Sequence, residues 1–173
     1  SWCLTWPYRR AMIMQEIEEQ KGDIVCLQEV QMDHFEMHLQ PFMHELGFDG
    51  LFKSKSRDAM GQYGKVDGCA TFWKLAKFSM TENYTIEFNE LARQAISELN
   101  LDPQEERKYI NRLMKDNVAQ VVVLEVIPKH GVRPPRQLSH LCIVNTHLYS
   151  NVTRPDVKLW QTWMLMNELQ QFA

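Results

Sequence analysis

The chain has 173 residues, of which 45% are hydrophobic, 10% aromatic and 24% charged. That composition suffices for one domain with its own core and excludes disordered, fibrous and low-complexity chains. A net charge of -3 gives no global attraction to a polyanion, so nucleic-acid binding would need locally concentrated positive charge or a metal ion.

Thr5-Trp6-Pro7 reads as a helix start, because a first-turn proline lacks an N–H that would have no partner there. Met12, Ile13 and Ile17 recur on one face, and Lys21-Gly22 closes the helix. Ile24-Val25-Cys26-Leu27 reads as a short strand buried on both faces, ending at Gln28 and Glu29. A second helical pattern follows Asp33, with Phe35, Leu39, Phe42, Met43 and Leu46 inward, Pro41 as a kink or restart and Gly47 as its cap. Phe48 to Lys53 is extended, Ser54 to Lys65 is a polar loop, and Gly68 to Lys74 is another strand.

From Glu82 to Lys115 acidic and helix-forming residues dominate, with a cap at Asp102-Pro103. The expected faces there are Leu91, Ala95, Leu99 and Tyr109, Ile110, Leu113, in a helical insert at about 89–114. Val118 to Ile127 is a long strand, Pro128 to Gln137 an exposed connection with Pro134-Pro135, and Leu141 to Thr146 a strand ending at His147. Pro155 opens a last amphipathic helix. The whole predicts a mixed α/β (α+β) layered fold with antiparallel strand pairs, whose sheet this chain alone does not complete.

No apolar run approaches the roughly 20 residues of a membrane helix; even Val121-Val122-Val123-Leu124 stops at Glu125. No membrane association is expected. Cys3, Cys26, Cys69 and Cys142 are far apart, and three of them sit in apolar strand-like runs. Buried free thiols are expected, which fits a reducing compartment. The sequence opens on Ser1-Trp2 and stops inside a helical pattern at Phe172-Ala173, so a piece of something longer is expected.

Glu29 stands at a strand end, where catalytic groups gather and where a hard cation such as Mg²⁺ needs a carboxylate. On spacing alone, a glutamate pointing into water is the commoner arrangement. His147 also ends a strand and could contact a scissile phosphate; a hydrogen-bonded histidine at a sheet edge is the plainer reading. His34, His38 and His44 lie on or beside a helix, and His130 and His140 flank the proline loop. The i, i+4 spacing of His34 and His38 lacks a third ligand, so zinc is not expected. Lys53, Lys55 and Arg57 form a basic cluster that either steers an anion or is simply solvated. Trp2, Trp6, Trp160 and Trp163 could stack a base, but spacing selects none of them.

Four segments in order change the weight of these pieces: Leu27-Gln28-Glu29-Val30, Val66-Asp67-Gly68-Cys69-Ala70-Thr71-Phe72, Lys115-Asp116-Asn117-Val118-Ala119 and Asn145-Thr146-His147-Leu148. Together they resemble the endonuclease/exonuclease/phosphatase superfamily, and within it the carbon-catabolite-repressor type of poly(A) deadenylase. Ser1-Trp2-Cys3-Leu4, Ile86-Glu87-Phe88-Asn89 and Asp156-Val157-Lys158-Leu159-Trp160-Gln161 look like its plant and green-algal members. The resemblance covers nearly the whole chain and is weakest between Glu90 and Met114. It implies two packed β-sheets with helices outside.

By the same resemblance, Glu29 is the metal-binding and catalytic glutamate, His147 a catalytic phosphate contact, and Lys55 and Asn145 substrate-binding positions. Asp67-Gly68 and Asn117 would be scaffolding. The superfamily's early Asn, later Asp-x-Asn and terminal Asp-His have no counterpart here, which implies roughly the N-terminal half of a single exonuclease domain. The implied activity is Mg²⁺-dependent 3′-5′ shortening of poly(A) RNA within a multi-subunit deadenylase complex, in the cytoplasm with the nucleus as a second location. This part alone is expected to be inactive. The rivals are a related phosphohydrolase acting on a dinucleotide phosphate or a 2′-linked oligoadenylate, and a catalytically dead protein-interaction remnant.

Overall fold

The computed structural model describes residues 2–56, 66–128 and 139–172. Arg57, His130, most of the polar loop after Ser54 and nearly all of the proline connection lie outside the described residues. A first helix, α1 (Trp6–Gln20), starts on its proline and ends at Lys21, which is left-handed with φ 51°. Strand β1 (Ile24–Gln31) follows, then a helical stretch made of α2 (Met32–His34), a π-helical turn (Phe35–Leu39) and α3 (Gln40–Glu45). Pro41, which has no N–H for the preceding turn, restarts the helix at α3. Gly47, at φ 79°, reverses the chain into β2 (Phe48–Ser54).

Strands β1, β2 and β3 (Asp67–Lys74) form an antiparallel sheet in the order β1-β3-β2. Gly68 in β3 is required by packing, since a Cβ there would overlap the Lys53 carbonyl of β2. The second antiparallel sheet has the order β4-β5-β6, from β4 (Phe78–Glu87), β5 (Val118–Val126) and β6 (His140–Thr146). Helices α4 (Phe88–Glu98) and α5 (Pro103–Leu113) connect β4 to β5, where the helical insert was expected, and α6 (Pro155–Phe172) follows β6. Asp102 caps α5 by accepting from the backbone N–H groups of Gln104 and Glu105.

Side-chain alternation assigns the layers. Ile24, Leu51 and Trp73 of the first sheet meet Phe78, Val122, Leu124, Leu141 and Ile143 of the second in one apolar cluster. On the outer faces, Ala70 and Phe72 pack against Phe35, Leu39 and Met43, while Ala119 and Val121 pack against Phe88 of α4 and Leu165 of α6. Burying each large apolar side chain contributes about 1.5–3 kcal/mol.

The interior becomes polar toward the end of β1. There Thr71 donates to Gln120 across the sheets at 2.8 Å, and Lys53 of β2 reaches Glu87 of β4 at 2.6 Å. Ser56 donates to the same carboxylate at 3.1 Å.

Several expectations need correction. Residues 82–87, expected in a helical excursion, continue β4. Its residues 79–83 are solvent-exposed and mostly polar, while its ladder to the apolar β5 makes it a strand. The buried face of α4 is Phe88, Ala92 and Ile96, one position away from the expected set, and Leu99 is exposed. Strand β1 is only partly buried because, among the described residues, it stands at a sheet edge. For the same reason Cys26, and Cys142 on the outer strand β6, are exposed; Cys69 on the central β3 is buried, and among the described residues no disulfide forms. Met12 is exposed as well. Among the described residues, no helix is long and apolar enough to cross a membrane.

Two carboxylates tie elements together as anions. The Lys53 ammonium holds Glu87 below its ordinary value of 4.5, and Lys77 holds Asp23 below its ordinary 3.8. Folded values below unfolded ones add stability that is complete above the unfolded values and is lost as pH falls through the folded ones. The urea midpoint of the full-length protein should therefore drop between about pH 5 and pH 3. Glu87→Gln should flatten that drop, and an unchanged pH profile in the variant would contradict a Lys53–Glu87 strap between the sheets.

Candidate active site

The carboxylate at the end of β1 is presented by an irregular backbone. Leu27 faces Ala70 and Val30 faces Gly68, so Gln28 and Glu29 together oppose a single residue of β3. This is a β-bulge, and within it Glu29 has φ 57°. A left-handed conformation costs a residue with a Cβ about 1–2 kcal/mol. The bulge turns the side chain out of the ladder, leaving the carboxylate 72% exposed.

His147 arrives from the other sheet, directly after β6, and its Nδ1 lies 3.8 Å from Glu29 Oε1. That gap is too long for a hydrogen bond. Nδ1 is buried and has no hydrogen-bond partner among the described residues. The two residues singled out from the sequence thus meet, one from each sheet. They share two grooves. One, of about 570 Å³, is also lined by Gln28 and Lys158; the other, of about 430 Å³, by Lys55, Lys115 and Tyr149. A larger groove of about 950 Å³ runs along β1 from Trp6 and His34 to Glu29 and Lys55.

Lys55 lines this site, and its ammonium donates to Asp67. Lys115, whose amine donates to the Asn111 carbonyl at 2.6 Å, lies over the Tyr149 ring at 5.7 Å. Together with Lys158, these lysines stand around Glu29, with Asp67 paired to Lys55 and Asp116 in the same lining as Lys115. Lys53, expected in the same basic cluster, belongs to the inter-sheet strap instead.

Asn145 departs from expectation. It is only 2% exposed, and its carboxamide is taken up between the sheets. Nδ2 donates toward Leu27 O (3.2 Å), Ala70 O (2.9 Å) and Thr71 Oγ1 (3.1 Å), and Oδ1 accepts from Gln28 Nε2 at 2.7 Å. Such a group is out of a substrate's reach, so the expected substrate contact gives way to a structural tie. Asn117, expected as scaffolding, donates to the His147 carbonyl at 2.7 Å. It in turn accepts from fully buried Gln161 at 3.0 Å, and Gln161 also accepts from the Tyr149 N–H at 2.9 Å. Gln28, Gln161, Lys115 and Lys158 were given no role from the sequence, although all four lie in the segments that carry the resemblance.

Cys69 contributes no nucleophile, because burial pushes its thiol up to about 11. His34 stacks on Trp6 with centroids 3.6 Å apart, and desolvation holds its pKa below the ordinary value. His38 is hydrogen-bonded to Arg10 at 3.1 Å. Among the described residues no group of three or more His, Cys, Asp or Glu could hold a metal ion. Glu29 nevertheless fits a hard cation that keeps most of its waters. It is an exposed anionic oxygen donor beside an imidazole nitrogen that lacks a hydrogen-bond partner.

The family model described as "Endonuclease/Exonuclease/phosphatase family" matches residues 2–163. The chain is 41% identical over 175 residues to "Carbon catabolite repressor protein 4 homolog 1" of Arabidopsis thaliana, covering 100% of this chain and 29% of that protein. It is 37% identical over 177 residues to "CCR4-Not complex 3'-5'-exoribonuclease subunit Ccr4" of Schizosaccharomyces pombe, covering 100% of this chain and 24% of that one. The chain therefore spans less than a third of these relatives. Among solved structures, the crystal structure of ANGEL2, described as a 2′,3′-cyclic phosphatase, superimposes with a TM-score of 0.72 at 31% identity, covering 98% of this chain and 40% of that one.

The tie that fixes the backbone after β6 can be tested. Gln161→Leu in the full-length protein leaves Asn117 Oδ1 and the Tyr149 N–H without partners, at a cost of about 1–3 kcal/mol for each orphaned group. Urea denaturation should register that loss, and amide exchange at Tyr149 should accelerate. Exchange at the wild-type rate would contradict the assignment.

Proposed function

The chain belongs to the endonuclease/exonuclease/phosphatase family, and we propose that it is part of a Mg²⁺-dependent 3′-5′ exoribonuclease that shortens poly(A) RNA. The observation that carries this reading is the meeting of Glu29 and His147 at 3.8 Å at the head of a groove lined by Lys55 and Lys115. The similarity to Ccr4-type exoribonucleases supports RNA as substrate, and the complex named for the S. pombe relative supports a multi-subunit deadenylase as the setting. A cytoplasmic location, with the nucleus as a second one, belongs to the same proposal.

In this reading Glu29 holds Mg²⁺. The ion, when bound, would neutralise charge on the scissile phosphate and on the leaving oxygen. His147 donates a hydrogen bond to a phosphate oxygen as charge builds there. Lys55 and Lys115 draw the polyanion into the groove and orient its backbone. The carboxamides of Asn117 and Gln161 hold the backbone at His147 and Tyr149.

A second reading is supported by the likeness to the 2′,3′-cyclic phosphatase. It is a related phosphohydrolase acting on a small nucleotide such as a cyclic phosphate, a dinucleotide phosphate or a 2′-linked oligoadenylate. Parallel assays of the full-length protein on 3′-hydroxyl oligo(A) and on these small substrates separate the two. Faster turnover of any small substrate would replace the first reading by the second.

Glu29→Gln in the full-length protein should lower kcat on the order of 10³-fold, about 4 kcal/mol of transition-state stabilisation, with unfolding little changed. His147→Ala should lower kcat by roughly 10²- to 10³-fold and change KM far less. A variant at either position that melts normally and turns over at the wild-type rate removes that residue from the chemistry. The 173-residue chain alone, with no cluster of three metal-binding side chains among its described residues, should leave labelled oligo(A) intact. Glu29-dependent shortening by it would overturn that expectation.

A further inference from the structure

Glu29 reaches the groove only because the backbone beneath it is bulged and left-handed, with φ 57° at a residue that is not glycine. Nothing in the local sequence enforces that conformation, since Gln28-Glu29-Val30 contains neither Gly nor Pro. The surrounding structure must therefore over-determine it.

The groups that do so come from the opposite sheet. Asn145 donates to the Leu27 carbonyl, where the ladder breaks, and to the Ala70 carbonyl, which belongs to the residue paired with Leu27. Its oxygen accepts from the Gln28 side chain at 2.7 Å, so both residues preceding Glu29 are tied to one buried carboxamide. Asn145 is itself held by Thr71, which is anchored to Gln120 of β5. Among the described residues β1 pairs only with β3, and that ladder by itself would allow the bulge to relax into a regular register.

We propose that Gln28 and Asn145 are positioning residues, a latch that holds the β1 bulge so that Glu29 presents its carboxylate to the groove. The proposal rests on the reading of Glu29 as the metal-holding residue, and it assigns the latch no contact with metal or substrate. A merely structural Asn145 would lower stability when replaced and leave metal affinity alone. The latch predicts the reverse for Gln28, whose side chain lies at the exposed end of the pair. Outer-shell partners of this kind typically change metal affinity or activity by about 10- to 100-fold.

The decisive variant is Gln28→Ala in the full-length protein, because Gln28 is exposed and its removal admits water to the Asn145 oxygen in its place, leaving the core intact. Mn²⁺ binding, followed without substrate by electron paramagnetic resonance, should weaken by about tenfold or more, and the melting temperature should stay within about 2 °C of wild type. Activity at saturating Mg²⁺ should recover most of the loss, with KM for oligo(A) unchanged. Amide exchange at Glu29 and Val30 should rise at least tenfold. Wild-type Mn²⁺ affinity together with wild-type exchange overturns the latch.

The parent reading fails separately, if Glu29→Gln leaves Mn²⁺ affinity unchanged. Exchange at Glu29 and Val30 in Gln28→Ala then decides the latch by itself, and an unchanged rate there overturns it. Asn145→Leu serves as a second variant, and it should reproduce the exchange and affinity changes with an added loss of stability.

Discussion

One buried carboxamide, that of Asn145, bonds to β1, to β3 and, through Thr71, to Gln120 of β5. A polar side chain between two sheets is tolerated only when its hydrogen-bonding capacity is met, because the orphaned group would otherwise lose its full hydration. Here each partner is itself part of the frame. The amide fixes the spacing of the sheets at this end, supplies an acceptor for Gln28, and leaves Glu29 facing outward on its bulge.

The sandwich consequently has two different ends. At one, Trp73, Phe78, Val122 and Leu124 pack as an apolar cluster that stabilises the fold without regard to direction. At the other, directional contacts replace them: Thr71 to Gln120, Lys53 to Glu87, and Asn117 to Gln161. Directional contacts specify geometry in a way that apolar packing does not, and the exposed carboxylate and imidazole stand at that end. The placing of two lysines in the groove wall follows from the same arrangement. Lys55 follows β2, and Lys115 lies just after α5 and before β5, so both approach Glu29 from fixed elements.

Much of this was legible in the sequence, because central strands announce themselves. Gly68 to Lys74 and Val118 to Ile127 are apolar on both faces and were readable as strands, as was the antiparallel return to Leu141. Strand β4 was not, since residues 79–83 are exposed on both faces and include Thr81, Glu82 and Asn83, a composition that helices share. The face of α4 was misplaced by one position because Leu99, a strong apolar marker, lies beyond the helix and in solvent. Strand ends made Glu29 and His147 candidates, and only the order of four segments gave them weight over the plainer readings. Neither spacing nor periodicity brings β1 and the end of β6 together. The bulge left no trace, because the residue that adopts the left-handed conformation is a glutamate and not the glycine that would have marked it. Asn145 was misread for a related reason: side-chain chemistry at a strand end does not reveal on which side of the sheet it lies.

The claim on which the functional reading stands is that the bulged Glu29 carboxylate is a metal ligand. Anomalous diffraction from crystals of the full-length protein soaked in Mn²⁺ measures this directly. The expected result is a peak within about 2.5 Å of a Glu29 carboxylate oxygen. A Mn²⁺ ion whose ligands exclude Glu29, or the absence of any peak near it at saturating Mn²⁺, would contradict the claim.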